Sequence, residues 1–132
     1  MKVDNNYHEW IRFAEMDFAT AKHMFETYHP KPLEVICFHS HQVAEKMLKC
    51  FLVFHDAVDD IPKTHDLQTL FELCFKVDER FGDIKRSLGM LNRYSVIPRY
   101  PNELQIEEHD AKEAVNHANN VIMKVKEYVN VI

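Results

Sequence analysis

Glycine is almost absent from this sequence: Gly82 and Gly89 are the two glycines in 132 residues. Chains of many short strands need frequent turns, and turns draw heavily on glycine and proline. The chain has five prolines, and its composition is 46% apolar and 28% charged. It shows no alternation of apolar and polar residues that would indicate strands. These features exclude a turn-rich all-β chain and a disordered one, and they favour long helices in a single domain, residues 1–132.

Apolar residues recur at steps of three and four, which is the period of an amphipathic helix. The pattern predicts helices over about 4–28, 33–54, 83–95 and 108–129, and a short one that begins after an N-cap at Thr64. Prolines follow the first and the fourth helix, where they end helical geometry. The expected fold is therefore all-α: an up-and-down antiparallel bundle of four long helices plus a short third helix.

The three cysteines are too far apart for a CxxC clip. Cys37, Cys50 and Cys74 are also odd in number, so we expect reduced thiols in the interior rather than a disulfide framework or a zinc site. The polar start of the sequence does not resemble a signal peptide, and no run of eighteen apolar residues occurs. We expect a cytoplasmic protein that does not contact a membrane.

Positive charge is concentrated in one segment of a chain whose net charge is −5. Residues 80–100 carry a net charge of +4, from Arg80, Lys85, Arg86, Arg93 and Arg99 against Asp83. Residues 101–116 carry a net charge of −4. The acidic total argues against a protein that coats nucleic acid without specificity, whereas the basic segment is suited to a local anion site.

Two arginines and two tyrosines lie close together where the fourth helix gives way to proline. They are Arg93, Tyr94, Arg99 and Tyr100. The guanidinium group is a rigid fork that fits phosphate, and a tyrosine ring can stack on a base. This segment predicts binding of a nucleotide or RNA phosphate. Alternatively, Arg99 pairs with an acid such as Glu107 or Glu108 and only fixes the loop.

The second helix adds a polar face, which we expect to lie opposite its apolar stripe. Its members are His39, Gln42, Lys46 and Lys49. Phe38 and Val53 flank this face, and together with Leu52 they lie outside the main core arc. Exposed apolar residues beside a polar stripe also fit an interface between protein chains.

Nine histidines raise the question of a metal site. On a helix His39 and His41 diverge and cannot chelate one ion, whereas His109, Glu113 and His117 share a face. We interpret that face as solvated, with a weak divalent site as the alternative. No glycine-rich phosphate loop or nucleophile motif occurs, so we predict no metal, no cofactor and no catalytic residue.

His65 has two interpretations. Thr64 and Asp66 flank it at the start of the third helix, where short polar residues usually act as caps. Alternatively, His65 is a general base held by a carboxylate, because its ordinary pKa lies near neutrality.

Three separated motifs stand out: residues 37–49 in the second helix, residues 63–67 before the third, and Arg99-Tyr100-Pro101. In this order they resemble the motifs of the HEPN domain family, and residues 37–49 are similar to its second-helix signature. In the first helix, the matching residues are Trp10, Ala14, Asp17 and Ala21. The resemblance covers nearly the whole chain. It implies an all-α bundle, usually a homodimer, often encoded beside a minimal nucleotidyltransferase in prokaryotic toxin–antitoxin pairs.

The resemblance also implies a binding role. Family members are proposed to bind nucleotides, and many are metal-independent ribonucleases that need an arginine followed four to six residues later by histidine. Here Arg93 is followed by Arg99 with no histidine in that window, and His109 is too distant. The role carried over is therefore phosphate binding, by His39, Lys46, Lys49, Arg93, Arg99 and Tyr100. Polar support would come from Gln42, His65, Asp66 and Tyr94.

Three hypotheses follow. The first is a HEPN module that binds a nucleotide or RNA phosphate and pairs with a nucleotidyltransferase. The second is a ribonuclease that uses His65 or His39 in place of the missing histidine. The third is a structural bundle whose polar helix face is an interface for oligomers or other proteins.

Overall fold

The computed structural model describes residues 6–98, 100 and 104–129. All regular secondary structure in these residues is helical, which confirms the all-α prediction. The helices are α1 (Tyr7–Thr27), α2 (Leu33–Phe54), α3 (Leu67–Val77), α4 (Lys85–Leu91) and α5 (Glu108–Tyr128). Two 3-10 segments, Glu79–Ile84 and Asn92–Tyr94, flank α4. Residues 79–94 therefore form one continuous helical stretch, and α3 is the short third helix that the sequence predicts.

Helix α2 is the centre of the bundle. It packs against α1, α5 and α3, so that its side chains are buried on most of its circumference. Its bounds agree with the prediction. Leu52 is fully buried, which corrects its assignment to the exposed side, whereas Phe38 and Val53 are half-buried. The prediction for Leu52 was wrong because periodicity shows the apolar stripe of one helix but not how many neighbours cover the remaining surface.

Helix α1 is shorter than predicted at its C-terminal end. Tyr28 is the C-cap, and half of its surface is exposed instead of packing into the core. Met24, one turn earlier, is the last buried residue of α1. The Asn6 side chain caps the N-terminus by accepting from the His8 N–H at 3.1 Å. The predicted start at residue 4 lies outside the described residues.

The cap of α3 is Asp66, which corrects the assignment to Thr64. The Asp66 carboxylate accepts from the backbone N–H groups of Gln68 and Thr69. Thr64 instead accepts from the Asp66 N–H at 3.0 Å and shapes the turn before the helix. The Asp66 carboxylate lies two and three residues before the free N–H groups of Gln68 and Thr69 and can reach both. The Thr64 hydroxyl lies two residues further from these N–H groups along the chain.

No helix in the described part of the chain has both the length and the apolar character needed to cross a membrane.

Candidate functional site

His39 and Lys46 meet at one carboxylate of α1. Asp17 accepts a hydrogen bond from His39 Nδ1 at 2.8 Å on one oxygen, and the Lys46 ammonium contacts the other. The Asp17 side chain is mostly buried, whereas about a quarter of the His39 and Lys46 side chains is exposed. The charge of Lys46 is therefore already balanced inside the bundle, and any phosphate has to compete with Asp17 for it.

Lys49 is buried instead of lying on an exposed face. Its ammonium donates to Glu45 Oε2 at 2.9 Å, and both side chains are less than a tenth exposed, at 8% and 6%. His65 Nδ1 donates to the other oxygen of Glu45, also at 2.9 Å. Glu45, Lys49 and His65 are called the Glu45 cluster below. The prediction that Lys49 lies on an exposed polar face of α2 is wrong, because the loop before α3 covers this part of the helix.

The carboxyl group of Glu45 is ionised in these surroundings. Burial raises the pKa of Glu45, but the hydrogen bonds from His65 and Lys49 outweigh burial and hold that pKa below its usual range. Because the carboxylate accepts from both neighbours, the Glu45 cluster is internally satisfied. A buried pair of this kind is costly to break when one partner is removed.

His41 holds the loop that carries His65. Its Nε2 donates to the backbone carbonyl of His65 at 2.9 Å. Burial lowers the pKa of His41, so its imidazole is neutral near pH 7. The Gln42 amide nitrogen lies 3.4 Å from His41 Nδ1. The loop backbone is thereby fixed, while the His65 side chain is 64% exposed.

Asp66 and Asn92 join the start of α3 to the end of α4. The Asn92 amide donates to Asp66 Oδ1 at 2.8 Å, and its carbonyl oxygen accepts from the Leu67 N–H at 2.8 Å. Hydrogen bonds from Thr69 and Asn92 lower the pKa of Asp66. The residue that follows Asn92 is Arg93, so this bridge sets where the basic segment leaves the helix.

Arg93 differs from the cations of α2. Its side chain is exposed, and its guanidinium carbon lies 5.8 Å from the centre of the Tyr94 ring. No carboxylate within the described ranges lies at ion-pair distance from Arg93; the ion pairs there involve other cations. The Arg93 guanidinium also interacts with the Tyr94 hydroxyl, whose pKa it lowers against the larger effect of burial. Without a carboxylate partner, its remaining donors are available to a ligand.

The two tyrosines of the segment have different surroundings. Tyr94 is 5% exposed, and burial raises the pKa of its hydroxyl, so it anchors the segment to the core. Tyr100 is 67% exposed. Arg99 lies outside the described residues, and so does any pairing of Arg99 with Glu107 or Glu108. Of the residues predicted to bind phosphate that the structure describes, Arg93 and Tyr100 are exposed; of those predicted to give polar support, His65 and Asp66 are exposed.

The cysteines lie in the interior, as the sequence predicts. Burial raises the pKa of Cys37 and of Cys50 to about 12. It raises the pKa of Cys74 as well, and all three thiols are free. Thiols in this state are poor nucleophiles.

The histidines of α5 are engaged with separate partners. His117 Nδ1 lies 2.9 Å from the Ser87 hydroxyl, which also accepts from the Asn120 amide at 3.0 Å. His109 lies beside Glu107 and Asp110. Within the described residues, no three histidine, cysteine, aspartate or glutamate side chains are arranged to hold a metal ion.

Two acidic residues of the site, Asp17 and Glu45, were not assigned a role from the sequence. Glu45 and Lys49 are four apart on a helix, a spacing that favours an ion pair and could have revealed the contact. The contact between Asp17 and Lys46 joins residues 29 apart. Such a contact depends on how α1 packs on α2 and leaves no signal in local spacing.

Comparison with known proteins gives concordant results. A family model described as HEPN domain matches residues 7–128. The crystal structure of ST0689, an archaeal HEPN homologue, has a TM-score of 0.70 at 25% identity and covers 93% of this chain and 97% of its own. The crystal structure of TT1696 from Thermus thermophilus has a TM-score of 0.70 at 21% identity and covers 94% of this chain and 98% of its own. No curated protein matches the chain.

Proposed function

The chain belongs to the HEPN domain family, and on that premise we propose that it binds the phosphate groups of a nucleotide or of RNA at the segment around Arg93. The observation that carries the proposal is the exposed Arg93 side chain, which has no carboxylate partner in the described part of the chain. A phosphate can occupy its donors without displacing an existing ion pair. By contrast, Lys46 and Lys49 each have a carboxylate partner.

The backbone on either side of Arg93 is held in place. Asn92 is bonded to Asp66 and to the Leu67 N–H, and Tyr94 is buried. Binding to a pre-organised backbone loses less conformational entropy than binding to a free loop. The exposed ring of Tyr100 supplies a surface on which a base could stack. Arg99 remains part of the proposed site on the strength of the sequence.

Membership of the family also supports a proposal about partners. The protein would act as a cytoplasmic homodimer, paired with a minimal nucleotidyltransferase in a prokaryotic toxin–antitoxin system. Three exposed apolar side chains near Arg93 suit a contact with protein: Val96, Ile97 and Tyr100 are 67%, 46% and 67% exposed. Light scattering over a concentration series tests the dimer, and a monomer at high concentration would contradict it.

Fluorescence anisotropy of labelled ATP and of a short single-stranded RNA tests the phosphate site. Titrations over a salt series should show saturable binding that weakens as salt rises. Arg93→Ala should weaken binding by about tenfold and reduce the salt slope by about 1, and Arg93→Ala/Arg99→Ala should weaken it further. Arg80→Ala is the matched control, because Arg80 is also exposed but is bonded to Asp78. Equal losses in Arg80→Ala and Arg93→Ala would contradict the assignment.

A second candidate function, cleavage of RNA, is favoured by the contact between His65 and Glu45. A buried carboxylate that accepts from Nδ1 orients an imidazole and leaves Nε2 able to accept a proton. His65 would take the proton of a 2′-hydroxyl, whose oxygen would attack the adjacent phosphorus and expel the 5′-oxygen, which solvent protonates. His65→Ala should then abolish cleavage while Arg93-dependent binding persists. Intact RNA after incubation with stoichiometric wild-type protein would exclude this candidate.

A further inference from the structure

A cleft between α1 and α2 is not explained by the phosphate site. Its volume is about 340 Å³, and it is lined by Glu9, Trp10, Phe13 and Lys46. This volume is near the lower end of the range for small-ligand sites, roughly 300–1,000 Å³. Two aromatic rings, one carboxylate and one ammonium form its walls. This is a mixture of apolar faces and charged edges rather than a plain apolar groove.

The aromatic walls of the cleft are only partly used by the core. Phe13 is 43% exposed, and Trp10 is half-buried at the margin of the packed interior. The indole Nε1 of Trp10 is shielded from solvent yet has no hydrogen-bond partner among the described residues. Buried tryptophan N–H groups normally find an acceptor. The cleft thus offers partly exposed ring surface, beside which the Arg12 guanidinium carbon lies 4.7 Å from the centre of the Phe13 ring.

The charged edges of the cleft differ in hydrogen-bonding character. Glu9 is bonded to Arg12, through contacts of 3.0 Å from Nε and from the terminal nitrogen, and these bonds lower the pKa of Glu9. Its ionised carboxylate only accepts, and it has about four lone-pair sites, so it retains capacity for another donor. The Lys46 ammonium only donates, and it lies 5.9 Å from the centre of the Phe13 ring.

A planar ligand with a hydrogen-bond donor on its edge would fit the two aromatic walls and the Glu9 carboxylate. Nucleic-acid bases have this character: they stack on aromatic side chains through their faces and form hydrogen bonds through their edges. An exocyclic amino group suits the Glu9 carboxylate, whereas a carbonyl oxygen at that place would face a negative charge. Cytosine and uracil differ in this way at the same ring position.

We propose that the cleft binds one unstacked base of a single-stranded RNA, with the ring against Trp10 and Phe13 and an exocyclic amino group toward Glu9. The inference rests on the proposed function, in which Arg93 contacts phosphate of the same strand. The ligand proposed is single-stranded RNA rather than a free nucleotide, because a single strand presents unstacked bases together with several phosphate groups. Lys46 borders the cleft, where its ammonium is paired with Asp17.

Tryptophan emission provides the test, because Trp10 is the single tryptophan of the chain. Wild-type protein is titrated with oligocytidylate, with oligouridylate of equal length and with inorganic polyphosphate, and affinities are measured by calorimetry in parallel. Oligocytidylate should quench the emission and bind at least about fivefold more tightly than oligouridylate, as stacking plus one edge contact predicts. Polyphosphate should bind and leave the emission unchanged.

Two variants separate the cleft from the phosphate site. Phe13→Ala should weaken oligocytidylate binding by about tenfold and leave polyphosphate affinity unchanged. Glu9→Gln should remove the preference for oligocytidylate over oligouridylate. Phe75→Ala is the matched control for Phe13→Ala, because Phe75 is a phenylalanine of comparable exposure, 39%, on α3. Both phenylalanines lie largely outside the core, so these variants should fold.

The two proposals fail in different ways. If oligocytidylate binds no more tightly than polyphosphate and leaves Trp10 emission unchanged, the base site is wrong, whereas polyphosphate binding that Arg93→Ala removes still supports the phosphate site. If polyphosphate does not bind, or binds equally to Arg93→Ala, the phosphate site is wrong. In that event, Phe13-dependent quenching by oligocytidylate would still support the cleft.

Discussion

Lys49 and Arg93 carry the same charge in very different surroundings. Lys49 lies within the bundle, less than a tenth exposed, with its ammonium 2.9 Å from a Glu45 oxygen. Arg93 lies in the 3-10 segment that follows α4, exposed and without a carboxylate at ion-pair distance in the described ranges. The first cation is part of the interior, because its partner offsets the cost of burial. The second is solvated and available. A basic residue is thus a binding candidate only when its charge is not already balanced.

The largest effect expected is the loss of stability when Lys49 is removed. Lys49→Ala leaves the buried Glu45 carboxylate with His65 as its remaining partner, and we expect the free energy of unfolding to fall by about 3 kcal/mol. Urea unfolding measures it. Lys63→Ala, which removes an exposed lysine, should change stability by less than about 0.5 kcal/mol. If Lys49→Ala lost as little stability as Lys63→Ala, the distinction between the buried, paired Lys49 and the exposed Arg93 would be contradicted.

The Glu45 cluster should also make stability depend on pH. The pKa of Glu45 in the folded protein lies below its ordinary value near 4.5. The unfolded chain therefore binds a proton first as pH falls, and the stabilisation from Glu45 is present above about pH 4.5 and is lost as pH falls through the folded pKa. Glu45→Gln lacks this contribution. The difference in unfolding free energy between wild type and Glu45→Gln should be greatest near neutrality and shrink in acid; a difference that grows in acid would contradict the account.

Removing the carboxylate partner of Lys46 should make this lysine of α2 available to phosphate, as we propose for Arg93. Asp17→Asn removes the carboxylate that neutralises Lys46 and contacts His39. We expect a stability loss of about 1 kcal/mol and a gain in polyphosphate affinity of about threefold, because Lys46 becomes available to phosphate. Calorimetry measures the gain, and Glu26→Gln, an exposed acid of the same helix, is the control. An unchanged affinity would show that an unpaired cation alone does not create a site.

Much of the fold could be predicted from the sequence. The bounds of α2 and the start of α5 follow from apolar periodicity and from the prolines between helices, which are local signals. Burial around α2 could not be predicted, since it depends on how many helices surround it. Leu52 and Lys49 were misplaced for that reason.

The candidate site was less accessible to sequence reasoning. The basic segment around Arg93 is visible in the order of residues, and so is the role of Asp66 as one of two candidate caps. The pairing of His65 with Glu45 joins residues 20 apart and depends on the path of the loop before α3. The cleft beside Trp10 and Phe13 depends on the packing of α1 against α2. Contacts of this kind require the three-dimensional arrangement.

Nuclear magnetic resonance of the arginine side chains tests the central claim most directly, because the Nε–H groups of paired and unpaired arginines are observed together. The protein is titrated with inorganic polyphosphate at low salt and then returned to high salt. Arg93 should shift with saturation and return when salt is raised, while Arg12 and Arg80, which are bonded to Glu9 and Asp78, should stay in place. Shifts of Arg12 and Arg80 that match or exceed that of Arg93 would contradict the account.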